Sequence, residues 1–422
     1  MTSTLVFNIG QLVTNDPQHD GTKLGLIEDA ALLIEDGVVA WAGLNSQAPT
    51  HHIKHRFDAR GRAVIPGFVD SHTHMIFAGD RSQEFRARML GESYGAGGIA
   101  HTVEKTRAAT TEQLQSNAQA LFIEAYASGT TTIECKSGYG LSVDDEQRSL
   151  EIARSFTQET TFLGAHVVPV EYKKNPKDYV DLVTGPMLEA VAPFSKWIDV
   201  FCDKGAFSAD DARTILKAGI AKGLLPRIHA NQLQEGAGVK IGVEMDAASV
   251  DHVSHLSEKD IEALSRSKTV ATLLPGAEFS TRSPYPDVRP LLEASITVAL
   301  ASDCNPGSSY TTNLPFIIAI AVREMHFSPE QALWSATMGG AKALRRDDIG
   351  HLFEGARADF SILNADSYIH LASGYYVFYL KLPILSRHHP LPKVQWSRDL
   401  QLKHRYDPPE DHSILGTFLC KE

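Results

Sequence analysis

Two histidines one residue apart, His72 and His74, end the stretch PGFVDSHTH, and an apolar run, Val64 to Val69, leads into them. On an extended strand residues i and i+2 point to the same side, so both imidazoles can aim at one cation. The pair alone does not identify a metal site, because a strand end can carry two histidines satisfied by backbone groups. His229 in RIHA and Asp303 in ASDCNPG strengthen it. Three imidazoles and one carboxylate form a borderline-soft ligand set suited to zinc or ferrous iron. Water in an open position of such an ion has its pKa lowered towards neutrality. The expected chemistry is attack by hydroxide on a carbonyl or amidine carbon.

Such residues need a scaffold that brings distant parts of the chain to one place. From about residue 64, apolar strand-like runs alternate with helix-like segments. TTEQLQSNAQALFIEAYASG has apolar residues at Leu114, Ala118, Leu121, Phe122 and Ala125, a helical spacing, with Thr110 and Gln113 as a capping box and Gly129 as the stop. TTTIEC follows as a strand. Ser142 opens the next helix, a further one lies near 177–192, and Ser208 and Gly223 bound another. Two helices, at about 311–325 and 328–344, end the series. Roughly eight strand candidates separated by helices suit a closed parallel barrel better than an open sheet. Barrel enzymes keep their sites at the C-terminal strand ends. There the first candidate ends in His72-Thr73-His74, the third near Lys136 and Ser137-Gly138-Tyr139-Gly140. The fourth carries His166, the sixth His229, the seventh His252 and the last Asp303. Polar groups recurring at one end of successive apolar runs are not a scattered placement. Before residue 64 the chain reads as short strands and turns, with Glu35-Asp36-Gly37 as a hairpin signal.

The 422 residues carry a formal charge of −11, which argues against a nucleic-acid or anionic-membrane partner but not against a small anionic substrate. The thiols Cys135, Cys202, Cys304 and Cys420 have no short paired spacing, so neither a disulfide framework nor a zinc ribbon is expected. A reducing cytoplasm suits them. The N-terminal stretch has no basic region and a broken apolar run, unlike a signal peptide or membrane anchor. LPFIIAIAVREM is too short to span a bilayer.

PGFVDSHTH, the later lone histidine, the histidine after Val250-Asp251 and ASDCNPG together resemble the amidohydrolase superfamily. Its members are metal-dependent hydrolases built on a (β/α)8 TIM-like barrel, with a small β-sandwich formed by both chain ends. The longer stretches FAGDRSQEFRARMLGESYGAGGI, TTTIECKSGYGL, FLGAHVVP, HANQL and ASDCNPGSS are similar to one branch of it, over about residues 1–370. That branch opens the ring of 4-imidazolone-5-propanoate to N-formimidoyl-L-glutamate in histidine degradation, with zinc or iron. The resemblance implies His72, His74, His229 and Asp303 as ligands of one Zn2+ or iron ion. It implies substrate contacts at Arg81, Tyr139, His166, Gln232, Asn305, Gly307 and Ser308, and places His252 beside the metal-bound water. The implied domains are 1–63 and 345–422 for the sandwich and 64–344 for the barrel, and the implied assembly is a homodimer.

The residues agree with this. Arg81 offers a two-pronged donor fork for a propanoate carboxylate, though an isolated arginine is usually a surface residue. Tyr139 lies between glycines, where backbone can approach a ligand, and NPGSS offers N–H groups and hydroxyls; ordinary turns would look the same. Unaided, His166 reads as a core histidine that could also donate to the ring. Two-metal relatives carry a carboxylated lysine at the strand where this chain has His166, so one metal is expected. Lys136 then reads as a buried cation beside Glu134 or substrate. Related deaminases place a glutamate just after the histidine of HANQ; Gln232 cannot exchange a proton, which leaves proton transfer to Asp303 and His252. Another cyclic amidohydrolase, a deaminase or a catalytically dead scaffold are the alternatives. From about residue 373 the chain departs from the family pattern, through divergence or translation in a shifted frame. His388, His389, His404 and His412 there read as part of a poorly packed tail rather than a second metal site.

Overall fold

The computed structural model describes residues 3–91 and 98–373; the atypical tail lies outside the described residues. Eight parallel strands form the barrel: β1 (Phe68–Asp70), β2 (Thr130–Lys136), β3 (Glu159–Ala165), β4 (Trp197–Cys202), β5 (Ile228–Ala230), β6 (Ser249–His252), β7 (Val270–Leu273) and β8 (Val298–Leu300). All are buried along their full length, as strands covered on both faces must be. Each pairs with the next in register order. The ring is nearly closed between β8 and β1 by a single parallel bridge, Thr73 to Cys304.

The strand ordinals expected from sequence shift by one. Lys136 ends the second strand, not the third; His166 follows the third, His229 lies in the fifth and His252 ends the sixth. The described chain between β1 and β2 is helical, over Ser82–Met89, Ile99–Ala108 and Thr111–Ala127. The capping box of Thr110 and Gln113 forms, as does one of Ser208 with Asp211 that opens Ala209–Ala221. The helix expected near 177–192 is interrupted: Pro176–Leu182 and Leu188–Val191 flank a wide turn at Gly185-Pro186, because proline has no N–H to continue the ladder.

A separate six-stranded mixed sheet joins both ends of the described chain. Ser3–Val13 pairs antiparallel with Leu26–Glu35, which pairs with Val38–Leu44 through the Asp36-Gly37 turn. It also pairs parallel with His55–Asp58 and Val64–Pro66. Phe360–Ile362 closes on Val64–Pro66 antiparallel. The apolar run before His72 is thus divided: its first half belongs to this sheet and its second half is β1. Gly67 makes the crossing, and a Cβ there would lie 2.2 Å from Thr131 Oγ1. Among the described residues no helix is long and apolar enough to cross a membrane.

Candidate metal centre and active site

Extended backbone aims His72 and His74 the same way, and their Nε2 atoms lie 3.2 Å apart. His229, at the end of β5, brings its Nε2 to 3.4 Å from that of His74. Asp303 Oδ1 is 3.7 Å from His72 Nε2 and 3.6 Å from His74 Nε2. All four side chains are at most 3 % exposed. Two nitrogens about 2.1 Å from one tetrahedral ion would stand about 3.4 Å apart, so the spacing suits a shared cation.

The tautomers make the same point. His72 Nδ1 lies 2.7 Å from Asp251 Oδ2, and His229 Nδ1 lies 3.0 Å from Asp199 Oδ2. Asp251 holds a proton on His72 Nδ1 and turns its Nε2 lone pair inward, and Asp199 stands at ion-pair distance from His229 Nδ1, the side away from the site. Burial pushes His72 and His74 well below the ordinary histidine range, with Lys136 next for His72 and the neighbouring imidazole His72 next for His74. Burial pushes Asp303 well above the usual carboxylate range. Inward lone pairs at these distances repel one another, and a divalent cation between them removes the conflict. The donor set therefore fits a metal.

Beneath the histidines lies a fully buried charge network. Lys136 Nζ is 2.9 Å from Glu134 Oε1, 2.9 Å from Asp199 Oδ2 and 3.9 Å from Asp251 Oδ2. Arg227 Nη2 lies 3.2 Å from Asp251 Oδ2. Burial acts to raise both aspartates, but His229 and Lys136 hold Asp199 low, and Arg227, His72 and Lys136 hold Asp251 low. Lys136 is raised although burial opposes it, through Asp199 and Glu134. Both histidine-orienting carboxylates thus share one ammonium. The Glu134 pairing agrees with the sequence reading; Asp199, Asp251 and Arg227 were not anticipated. The signal for Asp199 was an ionisable residue inside an otherwise apolar strand, WIDVFC.

Several strand ends finish in left-handed backbone: Gly138 (φ 110°), Asn231 (54°), His252 (74°) and Asp303 (52°). Neighbours on a strand face opposite ways, yet Asp251 bonds His72 while the His252 ring centroid lies 5.6 Å from that of His72. The positive φ at His252 turns it back towards the site. Burial pushes His252 well below the histidine range.

Of the expected substrate positions, Tyr139 and His166 lie beside His74, and Asn305 and Ser308 beside Asp303. Tyr139 is buried, its ring centroid 6.0 Å from His74 and 5.3 Å from His166. His166 stacks on His74 at 5.4 Å, and its Nδ1 lies 2.9 Å from the Gly138 carbonyl. Burial and His229 push it down to about 4. The Tyr139 loop is clamped by Glu146, another unanticipated residue, whose carboxylate accepts from the N–H groups of Gly138, Gly140 and Leu141. Arg81 is buried, not a surface residue. Its Nε and Nη2 fork onto Glu84 at 2.9 and 2.7 Å, which fixes the guanidinium plane. A Cβ on Gly307 would stand 2.1 Å from Arg81 Nη1, so the guanidinium packs directly against this glycine. The Asn305 amide is engaged within its own loop: Nδ2 donates to Asp303 O and Ser308 Oγ, and Oδ1 accepts from Gly307 and Ser308 N–H. Ser308 Oγ reaches Asp303 Oδ2 at 3.4 Å. Gln232 is half-buried and its backbone N–H donates to Asp203.

Residues 63–386 match the amidohydrolase family. The chain is 62 % identical over 372 residues to an imidazolonepropionase of Mycolicibacterium smegmatis, covering 88 % of this chain and 93 % of that one. It is 60 % identical over 374 residues to an imidazolonepropionase of Salinispora tropica, covering 88 % and 95 %. Among solved structures, E. coli guanine deaminase superposes with a TM-score of 0.66 at 19 % identity, over 90 % of this chain and 98 % of that one. A mutant atrazine chlorohydrolase from Arthrobacter aurescens, complexed with zinc and atraton, gives 0.66 at 16 % identity over 87 % and 91 %. These two likenesses show the fold alone. By sequence the chain belongs to the amidohydrolase family and, within it, to the imidazolonepropionases.

Proposed function

We propose that this chain opens the ring of 4-imidazolone-5-propanoate, adding one water to yield N-formimidoyl-L-glutamate. The observation that carries the site assignment is the gathering of buried ligand atoms in two groups that share His72, one with His74 and Asp303 and one with His229 and His252, each within 4.8 Å, with His229 Nε2 3.4 Å from His74 Nε2. His72, His74, His229 and Asp303 would hold one zinc or iron ion, which supplies a water of near-neutral pKa and Lewis acidity for the ring carbonyl.

The chain's own residues do the rest. Asp303 divides its oxygens: Oδ1 faces the histidines, and Oδ2 lies towards Ser308. Asp303 takes the proton released as water oxygen bonds to the carbonyl carbon, then returns it to the ring nitrogen when the carbon–nitrogen bond breaks. His252 stabilises the developing oxyanion. Arg81, its plane fixed by Glu84, meets the propanoate carboxylate. Tyr139 and His166 border the heterocycle, and Asn305, Gly307 and Ser308 shape the loop against which it rests. Gln232 orients the substrate and transfers no proton, which favours this hydrolysis over a deaminase reaction.

The buried thiols of Cys135, Cys202 and Cys304 are free and suit a reducing cytoplasm. A homodimer is the assembly we expect, checked by sedimentation. The activity is tested by following absorbance of freshly generated imidazolone propanoate with and without chelator. Chelator-sensitive loss of the absorbance, with about one zinc or iron per chain, supports the reading. No turnover by fully metal-supplemented protein overturns it and favours a scaffold.

A further inference from the structure

Glu278 is a buried carboxyl that the reaction above does not use. It lies on the short helix Pro275–Thr281 that follows β7, and is 4 % exposed. Its Oε1 accepts a hydrogen bond from Ser254 Oγ at 2.5 Å. Its Oε2 is buried and has no hydrogen-bond partner among the described residues. Burial pushes the carboxyl up to about 7, against the pull of the Ser254 bond.

Ser254 ends the turn that presents His252. Two successive non-glycine residues there are left-handed, His252 at φ 74° and the β-branched Val253 at 45°. Such backbone is strained for residues with a Cβ and persists only where its surroundings over-determine it. On one side the turn is tied to the end of β5, through Val253 N–H to Ala230 O and His255 N–H to Asn231 O, both 3.0 Å. Towards β7, the Ser254–Glu278 bond is the tie. The helix bearing Glu278 is itself seated against the Asp303 loop: a Cβ on Gly276 would stand 2.3 Å from Ser309 Oγ and 3.3 Å from Ser302 O. Glu278 therefore joins the turn carrying His252 to an element registered by the loop carrying Asp303.

We propose that Glu278 is a positioning residue for the hydrolysis: through Ser254 it locks the left-handed turn that aims His252 at the reacting carbonyl oxygen. This rests on the role given to His252 above. The carboxyl is needed as an acceptor of fixed position rather than as a charge. Glu278→Gln keeps that acceptor and has the shape of the protonated acid.

The test compares kcat, KM, metal content and thermal midpoint for Glu278→Ala, Ser254→Ala, their double variant, Glu278→Gln and His252→Ala. A displaced His252 should cost about 10- to 100-fold in kcat in each alanine variant, with KM within about twofold and the metal retained. The double variant should be no slower than the worse single, because both remove one bond. Glu278→Gln should turn over within about threefold of the parent. If Glu278→Ala does not fold, Ser254→Ala carries the comparison with the carboxyl in place. A normal kcat in Ser254→Ala, an additive double variant, or a Glu278→Gln as slow as the alanine variant each overturns the proposal. If His252→Ala is crippled while these variants are normal, only this inference falls. If His252→Ala itself is normal, the role of His252 falls and takes this one with it.

Discussion

Replacing Lys136 with methionine removes the ammonium shared by the two carboxylates that orient His72 and His229. At an effective dielectric of 20, a pair at 2.9 Å is worth about 6 kcal/mol before desolvation, and Lys136 makes two such pairs. The variant also escapes the cost of burying the ammonium, so the net loss is about 3–5 kcal/mol, the usual penalty for stranding a buried charge. The loss falls unequally. Asp251 retains Arg227 at 3.2 Å and His72 at 2.7 Å. Glu134 retains Thr73 N–H and the Thr161 hydroxyl. Asp199 loses more: its Oδ2 then faces only the His229 ring, although Oδ1 keeps the backbone N–H of His229. A carboxylate so stranded takes up a proton, and its hold on the His229 tautomer weakens. We expect metal affinity to fall about 10- to 100-fold, as when a ligand's orienting partner is removed. Competitive chelator titration of zinc- or iron-loaded protein reads this directly, with circular dichroism to check the fold. A folded Lys136→Met protein that holds metal within twofold of the parent would refute the argument.

Three further outcomes follow from the same geometry. Asp303→Asn removes the carboxylate proposed as ligand and proton carrier and should abolish measurable turnover in the absorbance assay; near-normal activity overturns its assignment. Arg81→Ala should raise KM roughly a hundredfold, since a lost charge-assisted fork is worth about 3 kcal/mol, with kcat changed far less in steady-state kinetics. Removing metal should lower the thermal midpoint by calorimetry, because an ion present at about a thousand times its dissociation constant contributes about 4 kcal/mol.

Much of this was legible in the sequence because it is carried by periodicity and by residue type. The alternation of apolar runs with capped helices, such as that opened by Thr110, gives the barrel, and polar residues at run ends give the site. The ordinals after the first failed by one because the described chain between β1 and β2 is helical and supplies no second strand before Thr130–Lys136; nor does an apolar run announce which sheet it joins, since Val64–Pro66 and Phe68–Asp70 adjoin in sequence but lie in different sheets. The histidines were readable, but their partners were not. Asp199 sits in a strand whose other residues are apolar, and only the pairing of β4 beside β5 brings it to His229, while only the rolling of the sheet into a barrel brings Asp251 of β6 to His72 beyond β1. Nor does sequence reveal that Asn305 spends its amide on its own loop, or that His252 escapes strand alternation through a positive φ. Those are properties of backbone conformation at single residues.

The weakest seam of the barrel and the metal centre are the same place. Between β8 and β1 the ladder is reduced to the Thr73–Cys304 bridge, with Asp303 N–H bonded to His72 O at 3.0 Å and His74 N–H to Cys304 O at 2.9 Å. His72 and His74 stand on one side of that seam and Asp303 on the other, with His229 across the barrel. An ion held by all four would close the ring that the backbone leaves nearly open. The left-handed φ of Asp303 belongs to the same arrangement, since it turns the chain after β8 towards β1 instead of prolonging the strand. A regular β8–β1 ladder would keep both strand ends extended and remove the bend that brings the carboxylate to the histidines. The gap in the sheet is thus where the proposed four-residue site gathers, from the segments that follow β1 and β8 and from β5 across the barrel.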